Sequence, residues 1–112
     1  MDESILGSIK ALMSINEDDS VFDTEIIIFI NSALFTLCQL GVGPYTPFKI
    51  TGLNETWSDF LPDIDNLSMV KTYVYLKTRL MFDPPASAAL MTAMKEQIAE
   101  SEWRLNVETD RS

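Results

Sequence analysis

The chain has 112 residues, a formal net charge of -9 at pH 7, no histidine and a single cysteine, Cys38. This length fits one domain, and the missing histidines together with the lone cysteine exclude an intramolecular disulfide, a zinc site of the usual Cys/His type and histidine-based catalysis. The acidic balance disfavours attraction to a phosphate backbone or to an anionic membrane surface.

The first predicted element is a helix over about residues 3–14, because apolar residues recur there at helical spacing. The polar run 16–20 is predicted to end it. The opening residues MDESILGSIK carry acids where a signal peptide needs bases, and no apolar h-region follows them. We therefore expect no export.

The second predicted helix covers about residues 20–40. Ser20 with Asp23 resembles a capping arrangement at its start, with Asp19 as an alternative cap, and Gly41 and Gly43 suit its end. Its apolar run falls short of the ~20 uninterrupted residues of a membrane span and is flanked by acids, so we expect no span.

This second helix is apolar around most of its circumference. Its polar residues fall on one narrow stripe, made of Glu25, Ser32, Thr36 and Gln39. Such a helix must be covered on almost every side, and a small domain has few elements with which to cover it. We therefore expect another subunit to cover part of its surface.

Residues 44–65 show no helical period, although a short β-hairpin turned at Thr51-Gly52 is possible. Long connections in compact domains are usually functional or disordered, and the aromatic residues here argue against disorder. Those residues are Tyr45, Phe48, Trp57 and Phe60. Two interpretations are open: they fold back onto the helices, or some of them, with Trp57 and Phe60 as candidates, anchor a partner.

The third predicted helix covers residues 67–82 and the fourth about 86–104. The sequence Asp83-Pro84-Pro85 must interrupt the helical path between them, and Asp83 or Ser87 is expected to cap the fourth helix. The prediction is an all-α fold of four principal helices in a small bundle, with a single domain over 1–105 and a flexible tail over 106–112.

Two regions of this predicted bundle are candidates for contacts with other proteins, and the first is distinguished by its charge. Between residues 66 and 82 the only charged residues are Lys71, Lys77 and Arg79. Either they pair with acids of the same subunit, or they form a basic surface that meets an acidic one head to tail, as in rings.

The second region is the end of the fourth helix, where Trp103, Arg104 and Leu105 are candidates for docking onto a partner. The alternative is that Trp103 packs on the first or third predicted helix.

Two segments resemble a ligand-binding motif, one for calcium and one for nucleotides, but neither matches its motif in full. NEDDSVFDTE has the acids of a calcium loop without its central glycine or its correctly spaced glutamate. GVGPYT lacks the third glycine of a nucleotide fingerprint, and no strand precedes it. We predict no enzyme activity, no metal and no cofactor.

The order of DTEIIIFINSALFTLCQLGVG, TWSDFL, VKTYVYLKTRLMFDPP and ESEWRLN resembles the phage head-tail connector (adaptor) family over about residues 4–107. The resemblance implies a small helical protein without an active site. The resemblance further implies that this protein forms a ring, nominally a dodecamer, beneath the portal of a tailed phage and extends the DNA channel. Its implied partners are further copies of itself, the portal protein, and a head-completion (stopper) or tail-side neck protein.

The resemblance also implies a place in the virion neck after synthesis in the bacterial cytoplasm. Genome DNA would pass through the ring without specific binding, which suits an acidic lumen. Two other classes stay open from the sequence: an acidic DNA mimic that inhibits a host nucleic-acid-binding protein, and a generic helical oligomerisation module.

Overall fold

A computed structural model describes residues 3–44, 48–61 and 67–110, with side chains up to Val107. The helices in these ranges are α1 (Ile5–Leu12), α2 (Asp23–Gln39), α3 (Trp57–Phe60), α4 (Leu67–Phe82) and α5 (Ala88–Asp110). The described ranges contain no strand, so the predicted all-α class is confirmed. The only β-type pairing in these ranges is an isolated antiparallel bridge between Ser4 and Thr56.

The core lies where α2 and α4 pack against each other, with α1 and α5 added against α4. Buried apolar side chains come from all five helices and from the connection before α3. The largest fully buried ones are Trp57, Tyr73, Phe60, Ile5, Leu6, Ile9, Ile26, Ile30, Leu34, Leu37 and Ile50. None of the helices in the described ranges combines the length and apolarity that a membrane crossing requires.

The end of α2 has the predicted glycine turn. Gly41 adopts a positive φ of 90°, and the Val42 amide donates to the Leu37 carbonyl at 2.9 Å, which is a Schellman turn. Gly43 has a φ of 96°, and a Cβ placed there would lie 2.6 Å from the Phe60 ring. Glycine is required at 43 for both reasons.

The start of α2 corrects the sequence prediction. The helix begins at Asp23, with Phe22 at the cap position and no side-chain cap, rather than at residue 20 with Ser20 or Asp19 as its cap. Asp19 instead accepts from the Val21 amide at 3.2 Å, in a turn before the helix. The Asp23 carboxylate forms an ion pair with a lysine of α1.

That lysine, Lys10, is fully buried. Its Nζ donates to the carbonyl oxygens of Glu17 and Asp19 at 3.1 and 2.6 Å and to Asp23 Oδ1 at 2.7 Å. Three acceptors match the three protons of an ammonium group. Lys10 thereby fixes the α1–α2 turn and the start of α2.

The connection before α3 folds back onto α1 and α2. The Asn31 amide pairs with the Ile50 backbone, donating to its carbonyl at 3.0 Å and accepting from its N–H at 2.7 Å. The Ile5 amide donates to the Glu55 carbonyl at 3.0 Å, and Trp57 Nε1 donates to Ser8 Oγ at 2.7 Å. These contacts hold the described residues 48–57 against α1 and α2.

α4 spans the predicted residues, and α5 starts close to its predicted position. Ser87 caps α5, accepting from the Leu90 amide at 3.2 Å, whereas the Asp83 amide donates to the Arg79 carbonyl at 2.7 Å and so belongs to the end of α4. α5 continues to Asp110, beyond the predicted end at 104, because no glycine or proline interrupts it. The mobility expected for 106–112 stays a prediction.

Candidate interface surfaces

The three bases of α4 have different surroundings. Lys71 forms an ion pair with Glu3 and lies 5.9 Å from the centroid of the Trp57 ring. Lys77 lies 6.0 Å from the Tyr73 ring, and Arg79 donates from Nη1 to Tyr75 Oη at 3.3 Å. Neither Lys77 nor Arg79 forms an ion pair with a residue in the described ranges. Among the described residues, ion pairing within the subunit therefore accounts for Lys71 alone.

α5 is attached to α4 by a buried polar contact. Tyr73 Oη donates to Glu102 Oε2 at 2.6 Å. Burial raises the pKa of Tyr73, and the hydrogen bond to Glu102 and the negative charge of that carboxylate raise it further. The phenol therefore remains protonated and keeps donating over the ordinary pH range.

The predicted docking residues near the end of α5 divide between surface and core. Trp103 is 67% exposed, so it does not pack on the first or third predicted helix as the alternative required. Arg104 is exposed and pairs with Glu100 at 3.1 Å, whereas Leu105 is buried. A surface cavity of about 500 Å³ beside Trp103 is lined by Leu40, Ala99, Glu102, Asn106 and Val107.

Trp57 and Phe60 are buried in the subunit's own core. Phe48 packs on Phe60 with their ring centroids 5.4 Å apart. For these three aromatic residues the fold-back interpretation fits the structure. Tyr45 lies outside the described residues.

An apolar ridge runs along the outer side of α2. Val21, just before the helix, and Ile28 and Phe35 within it are 75%, 58% and 57% exposed. Ile28 and Phe35 lie seven residues apart and therefore on one side of the helix, and Val21 lies in the turn before it. We call these three residues the α2 ridge. Sequence reasoning predicted surplus apolar surface on this helix, but not which residues would remain exposed.

A groove lies between the end of α1 and the outer side of α4. Its larger part, about 630 Å³, is lined by Leu12, Leu67, Ser68, Lys71, Thr72 and Tyr75. An adjoining part of about 220 Å³ shares Leu12 and Tyr75 and adds Met13, Ser14, Arg79 and Asp83. Leu12 is 53% exposed at the junction of the two parts. We call the two parts together the α1–α4 groove.

A family model of phage connector proteins matches residues 5–112. The chain belongs to the phage connector protein family. No curated protein and no solved structure matches the chain. As a member of a structural family, this connector protein assembles with other phage head or neck proteins and is a component of the virion.

Metal-binding side chains do not cluster in the described part of the connector. No group of three or more Cys, Asp or Glu residues there could hold a metal ion. Cys38 is half-buried, and burial raises the pKa of its thiol while a hydrogen bond with the Phe48 backbone offsets part of that effect. The thiolate form, which is the reactive one, is therefore disfavoured.

Proposed function

We propose that this connector forms a closed ring, nominally a dodecamer, that joins the portal to the next neck component and extends the DNA channel. The observation that carries the proposal is the family match over residues 5–112. The exposed apolar ridge of α2 supports it, as do Lys77 and Arg79 of α4, which form no ion pair in the described ranges, because both leave surface that a neighbouring subunit can cover.

The charge of the chain also supports a channel role. A net charge of -9 per subunit, repeated around a ring, makes a lumen that repels phosphate. DNA then passes without specific binding. Synthesis in the host cytoplasm and a final position in the virion neck belong to the same proposal.

We assign the predicted interface residues to two contacts. Lys71, Lys77 and Arg79 on α4 contribute to the contact between subunits, and Trp103 and Arg104 on α5 contribute to the contact with the portal. Trp57, Phe60 and Leu105 are buried, so they act from inside by holding the segments that carry these surfaces.

The ring is tested by native mass spectrometry of the connector, alone and with the portal protein of the same phage. We expect one closed stoichiometry and a complex of connector ring with portal. A connector that stays monomeric with the portal present at micromolar concentration would contradict the proposal.

The role of α4 is tested by charge reversal. The double variant Lys77→Glu/Arg79→Glu should lose ring assembly while its helical dichroism is retained, because neither base pairs with a carboxylate of the described ranges. Lys49→Glu/Lys95→Glu is the matched control, since it changes the charge equally at two exposed residues. Equal loss of assembly in both variants would attribute the effect to net charge instead of to α4.

A further inference from the structure

We infer that the α2 ridge of one copy of this chain seats in the α1–α4 groove of the next copy, with Glu25 of the first beside Arg79 of the second. This inference rests on the proposed ring, and it names the two surfaces that close it. It is carried by the shape, the charge and the relative placement of the ridge and the groove.

The two surfaces are similar in character. At 1.5 Å per residue, Ile28 and Phe35 of the ridge lie about 10 Å apart along α2, and Val21 extends the ridge beyond the start of the helix. The α4 side of the groove, from Ser68 to Arg79, extends over about 16 Å by the same measure. Exposed Leu12 and the ring of Tyr75 give the middle of the groove apolar surface for residues such as Ile28 and Phe35.

The charges of the two helices are opposite. α2 contains Asp23 and Glu25 and no base, whereas α4 contains three bases and no acid. Asp23 is already paired with Lys10, which leaves Glu25 exposed on the same side of α2 as the ridge and without an ion pair among the described residues.

The corresponding base in the groove is Arg79, which donates to Tyr75 and forms no ion pair among the described residues. Of the acids near the groove, Glu3 is paired with Lys71, and Asp83 lines the smaller part without an ion pair to Arg79 in the described ranges. Opposite charges that form no ion pair within the described part of their own subunit are what complementary interfaces use to fix register.

The ridge cannot reach the groove of its own subunit. α2 packs on α4 through its buried side, which carries Ile26, Ile30 and Leu37, and the ridge lies on the opposite side of the helix. The groove lies on the exposed side of α4. The surfaces therefore lie on opposite sides of the subunit, and a contact between them is head to tail. Repetition of such a contact generates a ring when its rotation closes.

The inference is tested by cross-linking between two different single-cysteine variants in a Cys38→Ser background. Ile28→Cys carries the thiol on the ridge, and Thr72→Cys carries it in the groove. One variant bears an affinity tag so that mixed dimers can be recognised. A short bismaleimide should link the two variants in the mixture, should link neither variant to itself, and should give no mixed dimer in denaturant.

Each outcome of this experiment has one meaning. Efficient linking of Ile28→Cys to itself would show that ridge meets ridge, and the inference would be wrong. Rings that form without mixed cross-links would overturn the inference and leave the ring function standing. A chain that is monomeric even with the portal would overturn both.

A second experiment tests the Glu25–Arg79 pair. Glu25→Arg and Arg79→Glu should each weaken ring assembly by roughly tenfold or more, and combining them in one chain should restore it, because each contact then carries the reversed pair. A double variant as weak as the product of the two single effects would contradict the pairing.

The apolar part of the contact has a matched control in α5. Ile28→Asp should abolish ring assembly, whereas Leu90→Asp should not, although Leu90 is 46% exposed and the chemical change is the same. Dichroism verifies that both monomers are folded. Equal loss in the two variants would mean that exposed apolar area in general, and not the ridge, drives association.

Discussion

A lysine is tolerated in a protein interior when its ammonium protons are all accepted, and Lys10 meets that condition. Two of its acceptors are carbonyl oxygens in the α1–α2 turn and the third is the carboxylate of Asp23. One side chain thus ties the α1–α2 turn to the first residue of α2.

Replacing Lys10 should therefore destabilise the monomer. Lys10→Met keeps the apolar stem but leaves the Asp23 carboxylate and two carbonyls without their donor, which we expect to cost about 3 kcal/mol of unfolding free energy. Urea unfolding at pH 7 measures it, and Lys95→Met, at an exposed residue of α5, should change stability by less than about 0.5 kcal/mol. Similar losses in the two variants would contradict a structural role for Lys10.

Thr78 is the opposite case, a buried polar group without compensation. Thr78 lies on the buried side of α4, and its Oγ1 has no hydrogen-bond partner among the described residues. Thr78→Val has nearly the same shape and removes the unpaired hydroxyl, so the unfolding free energy should rise by about 1 kcal/mol. Thermal unfolding checks this, with exposed Thr92→Val as a near-neutral control. Destabilisation by Thr78→Val would show that the hydroxyl is satisfied.

At the residue level, the sequence predicted those structural roles that depend only on residues close by in the chain. Gly41 ends α2, and Ser87 caps α5, because glycine after a helix and serine before one act over three or four residues of chain. Lys10 and Asn31 could not be predicted in the same way. Their partners lie up to 19 residues away, so their roles depend on the tertiary fold.

At the level of elements, the connection between α2 and α3 is held by the Asn31 side chain, which hydrogen-bonds to the backbone of Ile50. The amide of Asn31 makes the donor and acceptor pair with Ile50 that a neighbouring strand would otherwise supply. The buried Ile50 and Trp57 then close the connection over α1 and α2. The sequence shows no helical periodicity in this connection, and periodicity could not identify the contact between Asn31 and Ile50.

Asn31→Ala should release the connection. The loss of two hydrogen bonds and the exposure of a paired backbone should lower the unfolding free energy by about 2 kcal/mol. It should also speed proteolytic cleavage within 48–55. Limited proteolysis followed by mass spectrometry checks both the rate and the site, with Asn54→Ala, an exposed residue of the same connection, as the control. Cleavage at the same rate in both variants would show that Asn31 is not the anchor.

At the level of the whole molecule, the helices of one subunit leave part of the apolar surface of α2 exposed. Helical periodicity predicted four of the helices and the surplus on α2, because both follow from residue order alone. It could not predict which side of α2 stays open, since that depends on where α4 and α1 pack. The α2 ridge and the α1–α4 groove became visible only when the packing of these helices was known.

The outer end of α5 presents the most exposed aromatic side chain among the large apolar residues of the described ranges. Burying Trp103 against the portal would remove a large apolar area from water, and Arg104 could exchange its exposed partner Glu100 for a carboxylate of the portal. Because Trp103 is 67% exposed in the monomer, its removal should leave monomer stability nearly unchanged.

Trp103→Ala should therefore weaken portal binding by roughly 30-fold or more, the scale of an interface hot spot, while the melting temperature of the monomer changes little. Truncation after Leu105 tests residues 106–112 in the same way and keeps the buried Leu105 in place. Leu90→Ala, at the other end of α5, is the control for loss of exposed apolar surface. Binding by surface plasmon resonance and melting by dichroism separate the outcomes. Unchanged affinity, or a loss of affinity accompanied by an equal loss of monomer stability, would contradict docking through this end of α5.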